Sequence, residues 1–337
     1  MKMKKYKHGL VLGKFMPPHY GHLYLIDTAL EQSEKVDLLI CSLESEPIPG
    51  KLRYSWLCEL YSTYDNLTIH WIAEDLPQSP EEHGDIDDFY NVWCDVVDSK
   101  VDTLDVIFTS EEYGEEFAGY LGIKHHMVDL DRVEVPTSGT EIRNNPGVEW
   151  EYLPQVVKPY FKRKIAIVGP ESTGKSTLTK ILAKHFNGDF VEEYGREYTD
   201  EIPAKTMDIS DYEEIATEHF NKVNDTIKNG YEQLIFVDTD ALITYSFGKM
   251  YMGKDFSSKE ITKIIHDEEY DLFLLCSPDV PWVDDGTRDF KKERIIHFNM
   301  IRFLLDIYGK PYVIINGDNY EDRFEQAKEE VFKVLMR

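Results

Sequence analysis

Ile165-Ala-Ile-Val-Gly-Pro-Glu-Ser-Thr-Gly-Lys-Ser176 decides the fold of the second half of the chain. Its apolar start predicts a buried strand, and Gly169 to Ser176 follow the pattern G-x-x-x-x-G-K-S directly before a helical pattern at 177–186. In this setting the glycines let the loop fold around a phosphate, Lys175 reaches the β and γ phosphates, and the Ser176 hydroxyl binds magnesium. The stretch therefore predicts an ATP- or GTP-binding loop.

Several residues around this loop are candidates for phosphoryl transfer. Asp238 ends an apolar run, so it can bind magnesium or activate an acceptor hydroxyl, and Asp240 can hold ligand hydroxyls or cap the helix that begins at Ala241. Arg288 lies in a predicted loop of the kind that closes over the phosphoryl group in small-molecule kinases. The candidate ATP-binding residues are Gly169, Glu171, Ser172, Thr173, Gly174, Lys175, Ser176, Thr177 and, after the last strand, Arg323. Lys175, Asp238 and Arg288 are also the candidate catalytic residues of this half.

Outward from this loop, short apolar runs alternate with helical patterns along the whole chain, which predicts βαβ units and parallel sheets. The predicted strands of the first half are 8–13, 36–42, 67–72, 106–110 and 125–128, and those of the second half are 164–169, 234–238, 272–276 and 312–316. A segment with aromatic residues and two prolines separates the two sets. We therefore expect two α/β domains, residues 1–160 and 161–337.

The composition limits the classes of function. At 337 residues the chain is long enough for two cores, and 37 Lys+Arg against 63 Asp+Glu give a net charge of −26, which argues against a nucleic-acid partner. No stretch approaches the ~18 apolar residues of a membrane span, so we expect no membrane partner. The four cysteines lie far apart without C-x-x-C spacing, which favours free thiols in the cytoplasm.

A second motif, Gly13-Lys-Phe-Met-Pro-Pro-His-Tyr-Gly-His22, follows the first predicted strand. It puts His19 and His22 at the start of a helix, where backbone N–H groups and the helix dipole favour a phosphate. Lys14 would add a cation that neutralises a triphosphate. The alternative is that both histidines are satisfied structural residues beside a turn.

This stretch resembles the G-x-F-x-P-x-H-x-G-H signature of the nucleotidylyltransferase superfamily. The second signature of that superfamily, S/T-x-x-x-R, resembles Thr137-Ser-Gly-Thr-Glu-Ile-Arg143. The resemblance implies a Rossmann-like domain in which His19 and His22 are catalytic and stabilise charge on the α-phosphorus of ATP, with magnesium bridging, while a substrate phosphate attacks. It implies ATP contacts from Gly13, Lys14, Phe15, Ser138, Thr140 and Arg143.

Two further segments, Pro49-Gly-Lys-Leu-Arg53 and Asp85-Ile-Asp-Asp-Phe-Tyr-Asn-Val-Trp93, resemble the archaeal-type nicotinamide mononucleotide adenylyltransferases. The resemblance implies that Arg53, Asp85 and Trp93 bind nicotinamide mononucleotide and that Trp93 stacks on the nicotinamide ring. The alternative is that Trp93 is a core aromatic residue, because it shares a predicted helix face with other apolar residues.

In the second half, Glu192-Glu-Tyr-Gly-Arg-Glu-Tyr198 is similar to the E-Y-x-R-E-Y pattern of ribosylnicotinamide kinases. This likeness implies riboside contacts from Glu193, Tyr194, Arg196, Asp238 and Asp240, with Ser176 and Asp238 as magnesium ligands. The likeness therefore implies that the second half of the chain is a P-loop kinase domain. Taken together, the chain resembles the NadR family of bifunctional enzymes.

The resemblance to the NadR family implies an enzyme of NAD salvage. One domain would phosphorylate nicotinamide riboside with ATP, and the other would join nicotinamide mononucleotide to AMP from ATP, giving NAD and pyrophosphate; a homo-oligomer is possible. The first predicted strand begins by residue 8, so we expect no N-terminal helix-turn-helix domain of the enterobacterial kind and no transcriptional role. Two alternatives stay open: action on another vitamin nucleotide, such as flavin or pantetheine, and a nucleotide-sensing regulator.

Overall fold

The computed structural model describes residues 4–79, 85–283 and 289–336. The chain divides into two compact units, Met1–Lys158 and Pro159–Arg337, and each has its own sheet and core. The α/β class with two parallel sheets, predicted from the alternation of apolar runs and helical patterns, is confirmed.

The first unit contains a five-stranded parallel sheet of order β3-β2-β1-β4-β5. Its strands are β1 (Tyr6–Gly13), β2 (Ser33–Cys41), β3 (Leu67–Ile72), β4 (Val106–Thr109) and β5 (Lys124–Met127). Its helices are α1 (Tyr20–Gln32), α2 (Gly50–Leu60), α3 (Ile86–Asp98), α4 (Tyr113–Leu121) and α5 (Gly139–Asn144). The chain reverses direction across the sheet at β1, between β2 and β4, and such a switch point opens a crevice at the carboxyl ends of the strands.

Apolar side chains cover both faces of this sheet. Leu25 and Ile26 of α1 belong to the cluster on one face, and Tyr90 and Val97 of α3 belong to the cluster on the other. The central strands are apolar almost without interruption because they are buried on both faces, which is why the sequence predicts them well.

The second unit has a five-stranded parallel sheet of order β10-β9-β6-β8-β7. Its strands are β6 (Arg163–Val168), β7 (Asp189–Val191), β8 (Leu234–Asp238), β9 (Leu272–Cys276) and β10 (Tyr312–Ile315). After the short helix α6 (Lys158–Phe161), its helices are α7 (Lys175–Phe186), α8 (Tyr194–Glu201), α9 (Ile209–Asn229), α10 (Ala241–Met252), α11 (Lys259–Asp267), α12 (Arg294–Ile307) and α13 (Tyr320–Leu335). Here β6, which leads into the P-loop, lies between β8 and β9 at the switch point.

One strand escaped the sequence analysis. β7 has only three residues, and its polar first residue, Asp189, accepts hydrogen bonds at the strand start from Lys162 and from the Glu232 amide. A run this short carries no measurable alternation, and its pairing with β8 places it in the sheet.

Within the described residues no helix is both long and apolar enough to cross a membrane. In that part of the chain, too, no group of three or more histidine, cysteine, aspartate or glutamate side chains is arranged to hold a metal ion. All four cysteines are free.

Candidate functional sites

A cavity of about 620 Å³ lies at the carboxyl end of β1 in the first unit. Nine of the residues predicted for adenylyl transfer line it: Gly13, Lys14, Phe15, His19, His22, Trp93, Ser138, Thr140 and Arg143. Residues far apart in the sequence therefore meet here, because β1 ends and α1 and α5 begin at this edge of the sheet and the middle of α3 packs beside it.

His19 and His22 begin α1. His19 caps the helix through Nδ1, which accepts a hydrogen bond from the Gly21 amide at 3.1 Å, so the proton of the neutral ring lies on Nε2. Burial, followed by the neighbouring His22 and by Arg132, lowers the pKa of His19 to about 2. Burial and Arg132 lower the pKa of His22 to about 4, although a hydrogen bond with the Pro17 backbone opposes the shift. Both rings are therefore uncharged at neutral pH.

Hydrogen bonds connect the second transferase signature, residues 137–143, to the first, residues 13–22. Arg143 donates from Nη1 to the Met16 carbonyl and from Nη2 to the Thr140 hydroxyl at 3.1 Å. Gly139 is needed for this approach, since a Cβ there would lie 2.6 Å from the Met16 carbonyl oxygen. Ser138 caps α5, accepting from the Glu141 amide at 3.1 Å. The two motifs thus form one wall of the cavity.

Arg132 is a lining residue that the sequence analysis missed. The loop that carries it is bent around Asp129, whose carboxylate accepts from the amides of Val133 at 2.7 Å and Glu134 at 3.1 Å. Arg132 itself has a φ of 52°, and its charge reaches both histidines, as their lowered pKa values indicate. No sequence motif marks this loop. Its contribution of a cation to the cavity is therefore visible only in the tertiary structure.

Arg53 was predicted to bind nicotinamide mononucleotide, but the structure gives it another place. It is fully buried, donates from Nη1 to the Lys14 carbonyl at 2.6 Å and pairs with Glu46, and it does not line the cavity. Lys14 also pairs with Glu46, Nζ to Oε1, at 3.1 Å. Arg53 therefore supports the loop after β1 from behind.

Of the other two residues predicted to bind nicotinamide mononucleotide, Trp93 lines the cavity and Asp85 does not. Asp85 caps α3, accepting from the amides of Asp87 at 2.8 Å and Asp88 at 3.3 Å, and it is not among the lining residues. Trp93 is 8% exposed, donates from Nε1 to the Pro77 carbonyl at 3.1 Å, packs in the core and also lines the cavity. Trp93 is thus a core residue that also lines the cavity, and its stacking on a nicotinamide ring stays a prediction.

In the second unit a cavity of about 210 Å³ lies over the P-loop. Two glycines shape the loop: Gly169 has a φ of 146° and Gly174 one of 79°. A Cβ on Gly169 would lie 2.6 Å from the Cys276 carbonyl oxygen. The Lys175 ammonium donates to the Pro170 carbonyl at 3.0 Å. The predicted residues that line the cavity are Glu171, Ser172, Thr173, Gly174, Lys175, Ser176, Thr177, Glu193 and Arg196.

Asp238 and Ser176 meet beside the P-loop. Asp238 is 2% exposed, and burial, together with the charge of Glu193, raises its pKa to about 6 although Lys175 and the Ser176 hydroxyl oppose the shift. Within the described residues its Oδ1 has no hydrogen-bond partner. A buried carboxylate oxygen next to a serine hydroxyl fits magnesium, which takes few protein ligands and keeps waters and phosphates. Arg196 donates from Nη2 to the same hydroxyl at 3.3 Å.

Three predicted residues of this half lie elsewhere, and a fourth is outside the described residues. Asp240 caps α10 through the Ile243 amide at 3.1 Å, and Tyr194 packs under the Lys222 ammonium, 4.5 Å from the ring centroid; neither lines the cavity. Arg323 is buried, donates to the carbonyls that follow β9 and end β10, and lines a small recess beside Thr173 and Gly174. Arg288 lies outside the described residues.

Four further residues that no sequence motif marks line this cavity. Tyr212 and His219 of α9 line it together with Phe247 and Tyr251 of α10. Arg294, at the start of α12, supports the P-loop by donating to the Ser172 carbonyl at 3.0 Å. In the sequence these residues only appear as parts of ordinary amphipathic helices, which carry no signal of a site.

Known proteins resemble the chain over nearly its full length. Residues 164–323 match the family described as "AAA domain". The chain is 32% identical to "Trifunctional NAD biosynthesis/regulator protein NadR" of Escherichia coli (strain K12), over 97% of this chain and 83% of that protein. It is 31% identical, with the same coverage, to the protein of that name from Salmonella typhimurium.

Two solved structures have the same fold. One is a NadR protein in complex with NR, with a TM-score of 0.78 and 23% identity over 99% of this chain and 98% of that one. The other is a NadR protein in complex with NAD and AMP-PNP, with a TM-score of 0.77 and 23% identity over 100% of this chain and 99% of that one. Since the identity to a curated relative spans both motif sets and both cavities, the chain belongs to the NadR family.

Proposed function

We propose that the chain is a bifunctional enzyme of NAD salvage. The second unit phosphorylates nicotinamide riboside with ATP, and the first unit adenylylates nicotinamide mononucleotide to give NAD and pyrophosphate. Membership of a family whose curated members are named for NAD biosynthesis supports the pathway, and solved relatives bound to NR and to NAD with AMP-PNP support the ligands. The observation that carries the proposal is the presence in each unit of a separate cavity lined by a predicted phosphate-binding motif.

In the kinase reaction, the riboside 5′-hydroxyl oxygen attacks the γ-phosphorus, the bond to the β–γ bridging oxygen breaks and ADP leaves. Lys175 stabilises the charge on the phosphates. Ser176 and Asp238 would hold magnesium, which neutralises charge on the phosphates when it is bound. The alternative role of Asp238 is to accept the hydroxyl proton through Oδ1, in which case it does not bind the metal.

In the transferase reaction, a phosphate oxygen of the mononucleotide attacks the α-phosphorus of ATP and pyrophosphate leaves. His19 donates a hydrogen bond from Nε2 to a phosphate oxygen of ATP, since its Nδ1 already accepts one from the Gly21 amide. Arg132 and Lys14 line the same cavity, and their positive charges partly neutralise the triphosphate, although Lys14 also pairs with Glu46. Catalysis then rests on positioning and electrostatic stabilisation, without a covalent enzyme intermediate.

One experiment tests the whole proposal. The purified protein is incubated with ATP, magnesium and, separately, nicotinamide riboside, nicotinamide mononucleotide, riboflavin or pantetheine, and the products are identified by mass. We expect NAD from both nicotinamide substrates and no product from the other two. An adenylylated flavin or pantetheine product would show that the enzyme acts on a different class of substrate. Tight binding of ATP and NAD without turnover would favour a nucleotide-sensing regulator.

A further inference from the structure

The outer face of α12 carries an exposed apolar stripe. Four large apolar side chains of this helix are each more than half exposed: Ile295 66%, Ile296 61%, Phe303 61% and Ile307 59%. Single exposed apolar side chains are ordinary on a protein surface, but four on one face of one helix form a patch. Patches of this kind mark sites where another molecule docks.

The stripe is not the side of α12 that packs into the second unit. The packing side is formed by buried residues, among them Ile301 and Leu305, which belong to the core cluster of the unit. The exposed residues are 295, 296, 299, 302, 303, 306 and 307. Their spacings of three and four place them together on the opposite side of the helix.

The pattern of residues on this outer face is self-complementary. Asn299 lies at its middle, with Ile295 four residues before it and Phe303 four residues after it. Lys292, in the turn directly before α12, lies seven residues before Asn299, and Asp306 lies seven residues after it. Spacings of four and seven keep residues on one helix face. The face therefore presents the same types of contact at equal distances on both sides of its centre.

Two antiparallel copies of α12 match each other in this pattern. With a twofold axis at Asn299, Ile295 of each copy meets Phe303 of the other, and the two Asn299 amides meet on the axis. Lys292 of each copy then meets Asp306 of the other. The same arrangement brings Lys292 to the carboxyl end of the opposite helix, where the helix dipole favours a cation.

The charge of the face also suits a second copy. The chain has a net charge of −26, so two copies repel each other over most of their surface. The exposed charged residues of this face and of the turn before it are Lys291, Lys292, Arg302 and Asp306. Asp306 also accepts a hydrogen bond from the Tyr312 hydroxyl, which keeps its carboxylate at this end of the helix. Three cations and one anion reduce the repulsion that two acidic chains meet elsewhere.

The size of the stripe suits a reversible dimer. Its apolar side chains together expose an area on the order of a few hundred Å², the size of a patch that marks an interaction site. A standard interface buries roughly 800 Å² per partner, so the flanking polar residues must contribute as well. We therefore expect association at micromolar concentrations.

We propose that the outer face of α12 is a homodimer interface, in which the α12 helices of two copies of this chain pack antiparallel about an axis at Asn299. The apolar stripe supplies the centre of the interface, and Lys292 and Asp306 pair at both of its ends.

The first test measures the mass of the full chain by sedimentation as its concentration rises. We expect the mass to double, and we expect Phe303→Asp to weaken association at least a hundredfold, because the symmetry places two unpaired charges in the apolar centre. Tyr231→Asp is the matched control, since Tyr231 is 74% exposed and lies before β8, away from α12. A wild-type chain that stays monomeric at high concentration, or a dimer that Phe303→Asp leaves intact, overturns the interface.

The second test locates the axis. A cysteine on a twofold axis lies opposite its own copy, so oxidised Asn299→Cys protein should form a disulfide-linked dimer on a non-reducing gel. Tyr231→Cys, which has the same four native cysteines, should form no more linked dimer than the wild type. Equal amounts of linked dimer in the two variants overturn the axis at Asn299.

The third test exchanges the charges at the ends of the interface. Lys292→Asp and Asp306→Lys should each weaken association several-fold by placing like charges together, and the double variant should recover most of the loss because the pairs are restored in reverse. Melting temperatures report whether each variant is folded. A double variant that associates no better than the weaker of the two single variants overturns the antiparallel arrangement.

Discussion

The imidazole rings of His19 and His22 lie with their centroids 3.8 Å apart and their planes inclined by 37°. Phe15, buried beneath them, packs edge-on against His22 at 4.9 Å. This arrangement holds both rings at the start of α1, where burial lowers the pKa of each ring so that both are uncharged at neutral pH.

Loss of one ring should therefore affect one activity only. We expect His22→Ala to lower adenylyl transfer by about 10²–10³, the effect of losing one preorganised group that stabilises transition-state charge, and to leave riboside phosphorylation intact. Accumulation of nicotinamide mononucleotide from riboside and ATP is the readout. Equal loss of both activities would contradict a site confined to the first unit.

The same histidines should make the first unit acid-sensitive. Their pKa values are lowered from 6.5 to about 2 and about 4, so the unfolded chain takes up protons at a higher pH than the folded one. Their stabilising effect is complete above pH 6.5 and is lost progressively as the pH falls from 6.5, down to about 4 for His22 and about 2 for His19. Denaturant unfolding across this range should show the decline, and a His19→Asn and His22→Asn double variant should flatten it. An equally steep decline in the double variant would assign the acid sensitivity to other groups.

Arg132 should matter as a cation over the triphosphate. We expect Arg132→Ala to reduce kcat/KM for ATP in adenylyl transfer at least tenfold, and Arg132→Lys to recover part of the loss, since the charge remains but the planar donor pattern does not. Lys100→Ala, which removes an exposed charge of the same unit, is the control. Similar kinetics in the Arg132 and Lys100 variants would show that Arg132 does not reach the substrate.

A pair of variants can separate the two roles predicted for Trp93, stacking on the nicotinamide ring and packing in the core. Stacking on the nicotinamide ring should contribute on the order of 1 kcal/mol, so Trp93→Ala should raise the KM for the mononucleotide several-fold and spare that for ATP. Trp93→Phe keeps a ring but loses the bond to Pro77 and should retain most of the affinity. A normal mononucleotide KM with a much lower melting temperature would assign Trp93 to the core alone.

Lys175 tests whether the two sites are independent. Because it lines only the P-loop cavity, Lys175→Ala should abolish riboside phosphorylation and leave NAD synthesis from supplied mononucleotide unchanged. Fragments 1–160 and 161–337 should each keep one activity, since each unit has its own sheet and core. Loss of NAD synthesis in folded Lys175→Ala protein would require a shared site or tight coupling of the units.

Of the ten strands in the described part of the chain, the sequence predicts nine to within three residues at each end. The central strands are found because buried parallel strands are continuous apolar runs, whereas β5 is short, polar and half-exposed. It also identifies the P-loop and the two transferase signatures, since glycines and histidines at this spacing around a strand–helix turn are typical of phosphate-binding loops. Most residues of these motifs line the cavities in the structure.

The sequence alone does not predict the role of a side chain whose partner lies elsewhere in the fold. Arg53 resembles a ligand contact in its motif, but Glu46 and the Lys14 carbonyl hold it inside the protein. Asp85 and Asp240 sit at helix starts and satisfy amides there.

Arg132, Tyr212 and His219 line a cavity although the sequence does not mark them as candidates. Nothing in their local sequence sets them apart, and each reaches a cavity only because a loop or helix from another part of the chain packs there. Local patterns determine which backbone segments form strands, helices and phosphate loops, because those depend on near neighbours. The tertiary structure decides which side chains face a ligand, because burial, charge and hydrogen bonding depend on residues distant in the sequence.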